Sequence, residues 1–152
     1  MARGDDVKCN SVTDGTISKL SQTECGWYIA QALNAMRPII ADEHHHFSGF
    51  SLLTSTLEAE IRSLFSGYEV VEARVHLFEK DDFVINHADN AYGYSTAYIC
   101  RLDCYGSSRF LIKGERVEEK QGVWMAIPVG LEHAVSVGDT ARMSMVVWAN
   151  KI

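Results

Sequence analysis

The stretch YEVVEARVHLFEKDDFVINHAD, residues 68–89, decides how the chain is read. Upstream of it apolar residues recur at three- and four-residue intervals; from Tyr68 onward they alternate. Val71, Ala73, Val75 and Leu77 fall on one face, and Arg74, His76 and Phe78 on the other, as in a half-buried strand. EKDD then reads as a turn, and a second apolar run, Phe83-Val84-Ile85, leads into His87 and Asp89. Residues i and i+2 of an extended chain point the same way, about 6.5–7 Å apart. A mostly apolar strand therefore aims an imidazole and a carboxylate at one point, which asks what they hold.

Working outward, alternation predicts eight strands, over 69–79, 83–87, 94–103, 108–112, 115–118, 122–127, 132–137 and 141–149. Turn sequences such as EKDD, YGSS, KQG and VGD separate most of them. Before them, two helices are expected. Ser21 with Glu24 has capping-box spacing ahead of the stripe Cys25, Tyr28, Ala32 and Met36, which Pro38 ends. Ser55 with Glu58 opens a second helix burying Leu57, Ile61 and Leu64, stopped by Gly67. The expected fold is mainly β with N-terminal helices: a double-stranded β-helix, or jelly roll, of about eight antiparallel strands packed on two helices. One domain, 1–152, is expected, with 1–67 as lead-in and supporting helices and 68–152 as the catalytic core.

Composition narrows the partners. The chain is 47% hydrophobic and 22% charged, with net charge −6, so general attraction to nucleic acid or an anionic membrane is not expected. The N-terminus carries charges where a signal peptide would be apolar, and the longest apolar runs are too short to cross a bilayer. These features lead us to expect a cytoplasmic protein whose Cys9, Cys25, Cys100 and Cys104 are free thiols.

A third metal-ligand candidate, His133, heads the seventh strand, 44 residues after Asp89. In a jelly roll the second and seventh strands can be neighbours. Two imidazoles and one carboxylate are the donors of the facial triad, which leaves open positions on Fe(II) and so serves catalysis rather than structure. A lone H-x-D is common, and a lone strand histidine is most often a hydrogen-bonded core or surface residue; the weight lies in the combination. Nine residues after His133 comes Arg142, whose alternation groups it with Ser144, Val146 and Trp148. A guanidinium on a half-buried face needs an anion. No acid lies beside it on that strand face, so a bound carboxylate is an attractive partner, with Ser144 as a further donor; the plainer alternative is a rim arginine paired with a surface acid.

The segments FEKDDFVINHAD, GVWMAIPVGLEHAV and GDTARMSMVVW together resemble the Fe(II)- and 2-oxoglutarate-dependent oxygenases, nearest to the prolyl hydroxylase-like branch. The resemblance covers residues 70–149 and consists of H-x-D, a distal His, then R-x-S. It implies that His87, Asp89 and His133 hold Fe(II), and that Arg142 and Ser144 clasp the far carboxylate of 2-oxoglutarate. It further implies that O2 is the second cosubstrate, and that an unactivated C–H bond is oxidised, most simply hydroxylated, with release of succinate and CO2.

Two departures stand out. The family's tyrosine ahead of H-x-D is replaced by Phe78, and Tyr98 is the expected source of that hydroxyl. IKGERVEEKQG leaves no room for the insert that shapes many relatives' substrate sites. A small-molecule or amino-acid-like substrate is therefore expected, with a peptide as the alternative, and an uncovered mouth suggests a homodimer.

A second resemblance runs through G-x5-P-x-G-x2-H, formed by Gly122, Pro128, Gly130 and His133, to the second motif of the cupins, metal-binding jelly rolls that do not use 2-oxoglutarate. Their first motif wants H-x-H and a nearby Glu, which are missing. His44, His45 and His46 are expected in a polar loop between the helices, either solvated or contributing to a lid. Arg74 and His76 would bind an acidic group if they face the barrel mouth, and otherwise face solvent.

Overall fold

The computed structural model describes residues 17–34, 45–46, 49–52, 55–90 and 93–152. Helix α1 (Gln22–Asn34) starts where the capping box predicts. The Glu24 N–H donates to the Ser21 hydroxyl at 3.1 Å, and the Ser21 N–H donates to the Glu24 carboxylate at 2.9 Å, satisfying two donors that a helix start leaves orphaned. Cys25, Tyr28 and Ala32 are its buried stripe; Met36 and Pro38 lie outside the described residues. Helix α2 (Ser55–Leu64) buries Ile61. Its Glu58 accepts from Arg62 one turn on, at 2.9 and 3.1 Å, while the Leu57 and Ser55 side chains lie outside the described residues.

All eight expected strands are present, each end within two residues of its predicted place: β3 (Tyr68–Phe78), β4 (Phe83–Ala88), β5 (Thr96–Arg101), β6 (Phe110–Ile112), β7 (Glu115–Arg116), β8 (Trp124–Pro128), β9 (Glu132–Val135) and β10 (Arg142–Lys151). Two more precede α2, namely β1 (His45–His46) and β2 (Gly49–Leu52). The expected division at residue 68 is thereby corrected, because β1 and β2 belong to the sheets and not to a lead-in. The same holds for the histidine loop: His45 and His46 pair with Phe83 and Val84 of β4, while their side chains and all of His44 lie outside the described residues. With two residues in β1 and four in β2, neither is long enough for alternation to show in the sequence; only pairing with a neighbour defines them.

The strands form two five-stranded antiparallel sheets, ordered β1-β4-β9-β6-β7 and β2-β3-β10-β5-β8. Consecutive strands mostly switch sheets, which is the jelly-roll path. One core lies between the second sheet and the helices, with Cys25, Tyr28, Ile61 and Phe65 against Val75, Met145 and Val147. The other lies between the sheets, built from Phe78, Val84, Ile99, Phe110, Ile127 and Val146. Alternation along β3, β5 and β10 therefore sends every second side chain to each core. Among the described cysteines, Cys25 and Cys100 are buried, Cys104 is exposed, and all are free thiols.

Gly122 shows how closely the lead to α1 is tied to the barrel. Its carbonyl accepts from the Leu20 N–H at 2.9 Å, its φ is +79°, and a Cβ there would meet the Leu20 carbonyl oxygen at 2.1 Å. Only glycine meets both demands. Among the described residues no helix is long and apolar enough to cross a membrane.

Candidate metal centre and its cavity

Between the sheets lies a cavity of about 410 Å³. His87, Asp89 and His133 line one wall; Arg142, Ser144 and Trp148 of β10 line another. The sequence places His87 and His133 on separate strands; the structure pairs them directly across β4 and β9. Their rings are 4.3 Å apart, and one donor atom from each of His87, Asp89 and His133 lies within 4.8 Å of the others.

A β-bulge makes this convergence possible. The register shifts between Val84, paired with Val135, and His87, paired with His133. Val84 is buried and lines the cavity, Ile85 is 40% exposed, and His87 turns inward again. Strict alternation would put Phe83, Ile85 and His87 on one face; the extra residue re-aims the strand. The i and i+2 relation of His87 and Asp89 holds, but the apolar run before them is out of phase with it.

Each imidazole is fixed from behind. The His87 Nδ1–H donates to the Ile85 carbonyl and the His133 Nδ1–H to the Leu131 carbonyl, both at 2.8 Å. A carbonyl can only accept, so each ring must carry its proton on Nδ1 and present Nε2 to the site. These Nε2 atoms lie 3.1 and 3.8 Å from the same Asp89 oxygen, Oδ1. Hydrogen bonding to Asp89 raises the His87 pKa above its ordinary value, against the opposing effect of burial. The His87 hydrogen bond in turn lowers that of Asp89, while burial lowers that of His133.

Two residues of the site went unread in the sequence. Tyr94, in the turn after β4, lines the cavity and its hydroxyl hydrogen-bonds the Asp89 carboxylate; burial and that carboxylate push the phenol up to about 12. Glu119 is the larger omission. Its carboxylate accepts from Arg142 Nε at 3.1 and 3.3 Å and from Nη2 at 2.5 Å, and both side chains are 1% exposed. Arg142 is thus neither left for a bound carboxylate alone nor a rim arginine paired with a surface acid: its partner is a buried acid from another segment. The acid lies 23 residues upstream, on the segment between β7 and β8, where no periodicity along β10 can reveal it. Arg142 Nη1 donates to Ser144 Oγ at 3.1 Å, so the R-x-S spacing does bring these two groups together. Arg101 and Arg109 complete a buried charged layer with Asp82 and Asp103.

Tyr98 is also corrected. Ala97 and Ile99 line the cavity, so Tyr98 between them faces the other core, where its ring meets Phe65 and Tyr68 at 5.4 and 5.5 Å. It cannot supply the hydroxyl. Phe78 does line the cavity, under the guanidinium of Arg142 at 5.3 Å. Arg74 and His76 face inward too, and His76 is buried.

No family model and no curated protein matches the sequence. Solved structures match in shape. The viral collagen prolyl hydroxylase of Paramecium Bursaria Chlorella virus-1, in its 2OG complex, superposes with a TM-score of 0.64 at 13% identity, over 90% of this chain and 92% of that one. The fold is that of the prolyl hydroxylase structures. A prolyl-4-hydroxylase from Pseudomonas putida gives 0.62 at 16% identity, over 86% of this chain and 84% of that one. The Trichoplax adhaerens prolyl hydroxylase, in complex with a hypoxia inducible factor oxygen degradation domain peptide fragment, gives 0.62 at 13%, over 93% and 86%. At such identities the likeness is one of fold, and the chemistry rests on the side chains.

Proposed function

We propose that this chain is an Fe(II)- and 2-oxoglutarate-dependent oxygenase that oxidises an unactivated C–H bond of a small molecule or amino-acid-like substrate. The observation that carries the reading is the convergence of His87, Asp89 and His133, within 4.8 Å, on a cavity whose facing wall presents Arg142 and Ser144. The donor set fits a divalent metal: two neutral Nε2 atoms and a carboxylate, held by backbone carbonyls and Tyr94, with the cavity leaving one side open. Such an iron, with 2-oxoglutarate and O2, supplies the oxidant. The protein's part is to place the metal, to bind the 2-oxo acid between the triad and Arg142–Ser144, and to keep the site dry with Phe110, Phe78 and Trp148. Phe110 links the two ends, stacked on His133 at 5.8 Å and lying under Arg142 at 5.9 Å. The tight connection from β6 to β7, only Lys113 and Gly114, leaves no insert there and supports a small substrate.

One observation favours a second reading, a metal enzyme of this fold that does without 2-oxoglutarate: Arg142 already has a carboxylate partner in Glu119. Anaerobic titration of the Fe(II)-loaded protein with 2-oxoglutarate separates the two. A saturable visible charge-transfer band is expected; tightly bound iron with no band would select the second reading.

A further inference from the structure

The Arg142–Glu119 pair is neutral, and Glu119 takes both the Nε and Nη2 sides of the guanidinium. A dicarboxylate reaching this end of the cavity brings a further negative charge into a buried place, which needs more donors than Nη1 and one hydroxyl. The cross-strand register shows where the next donor stands. Ser144 of β10 is directly opposite His76 of β3, while Arg142 is opposite Phe78 and Val146 opposite Arg74. Directly opposed side chains have Cβ atoms about 4.5–5.5 Å apart, so the His76 ring and the Ser144 hydroxyl flank one spot on the cavity wall. His76 is 8% exposed, set edge-on between Phe78 and Trp148 at 6.3 and 6.4 Å. Those rings limit its orientation and exclude water. The remaining cation of that face, Arg74, lies farther out, is 34% exposed and is bound by Glu72 at 2.6 Å.

We propose that His76 is an anchor for the far carboxylate of the bound 2-oxo acid, acting with Ser144 and the remaining edge of Arg142. This assignment rests on the oxygenase reading and adds a residue to it. An imidazole offers an N–H that can donate to a carboxylate. It thus supplies a further donor where Glu119 takes two sides of Arg142.

The test is anaerobic calorimetric titration of Mn(II)-loaded protein with 2-oxoglutarate and with 2-oxopentanoate, which has the same chain length but no far carboxylate. His76→Phe keeps the ring volume and removes the donor; His76→Gln keeps a donor. Loss of a charged hydrogen bond predicts 2-oxoglutarate binding at least about tenfold weaker in His76→Phe, with His76→Gln nearer to wild type. Binding of 2-oxopentanoate and of Mn(II) is expected to be unchanged in both. Unaltered 2-oxoglutarate affinity in His76→Phe would overturn the assignment, as would an equal loss for both oxo acids, which marks a packing role. A wild-type protein that takes Mn(II) but no 2-oxoglutarate would overturn this assignment together with the cosubstrate reading, and would do so before any variant is made.

Discussion

Glu119 and Arg142 meet as a buried ion pair, Nη2 to Oε1 at 2.5 Å, although 23 residues separate them in sequence. Removing one member leaves the other charge in a dry place. Arg142→Ala and Glu119→Ala are each expected to lower unfolding stability by about 3–5 kcal/mol. The double variant Glu119→Leu/Arg142→Met should lose far less than the sum. Urea unfolding of the cycle measures this directly, and strictly additive losses would show that the two side chains act independently.

The same pair governs behaviour in acid. Burial alone would push the Glu119 carboxyl up, but Arg142, its hydrogen bond and Arg101 reverse that and hold the carboxyl below the usual glutamate range. A depressed folded pKa means stabilisation that is complete above the unfolded value, roughly 4.3, and lost as pH falls through the folded one. Thermal unfolding midpoints should therefore drop steeply below about pH 4. Glu119→Gln, already less stable at neutral pH, should show a shallower drop; parallel profiles for the two proteins would assign acid lability to other groups.

The proposed metal site should respond to its own protons. Asp89→Ala and His133→Ala are expected to abolish Mn(II) or Fe(II) binding by calorimetry while leaving the circular dichroism of the fold unchanged. In wild type, His87 must surrender a proton that Asp89 holds on it, so metal affinity should fall and proton release rise as pH drops through the raised His87 value. Retained affinity in either variant would remove that residue from the ligand set.

In the proposed ligand set, Tyr94 orients a ligand without being one. Tyr94→Phe keeps the ring against Trp148 but deletes the hydroxyl on Asp89. Such outer contacts are worth about 10- to 100-fold in metal affinity. A tenfold weaker Mn(II) isotherm is the expected reading, and an unchanged one would leave the hydroxyl with only its link to Trp148.

Gly122→Ala is expected to be destabilising well beyond an ordinary glycine-to-alanine change. The new methyl would drive against the Leu20 carbonyl at 2.1 Å in a backbone conformation that alanine avoids. A melting temperature close to wild type would show that the residues leading into α1 can move away from the barrel freely.

Much of the architecture was legible because β3, β5 and β10 alternate and are long enough for periodicity to count. That His87, Asp89 and His133 come together was legible from the H-x-D spacing and a distal His on a strand that can neighbour it, although the bulge that aims His87 was not. What escaped has physical causes. The bulge at Ile85 and Asn86 depends on pairing with β9, Glu119 reaches Arg142 only through tertiary folding, and β1 and β2 are too short to show a period. Tyr98 failed by parity, since its neighbours Ala97 and Ile99 already claim the cavity side of β5.

Strands β1 and β2 occupy the outer position of one sheet each and are joined by only two residues. Each closes the outer edge of a strand beside the cavity. β2 covers Arg74–Leu77, the part of β3 that carries Arg74 and His76 inward, and β1 covers the start of β4. A chain shortened to begin after Leu52 would leave two rows of backbone donors and acceptors bare, beside the cavity. Such a protein is expected to self-associate through those edges, so the smallest autonomous unit of this fold starts well before its first long strand.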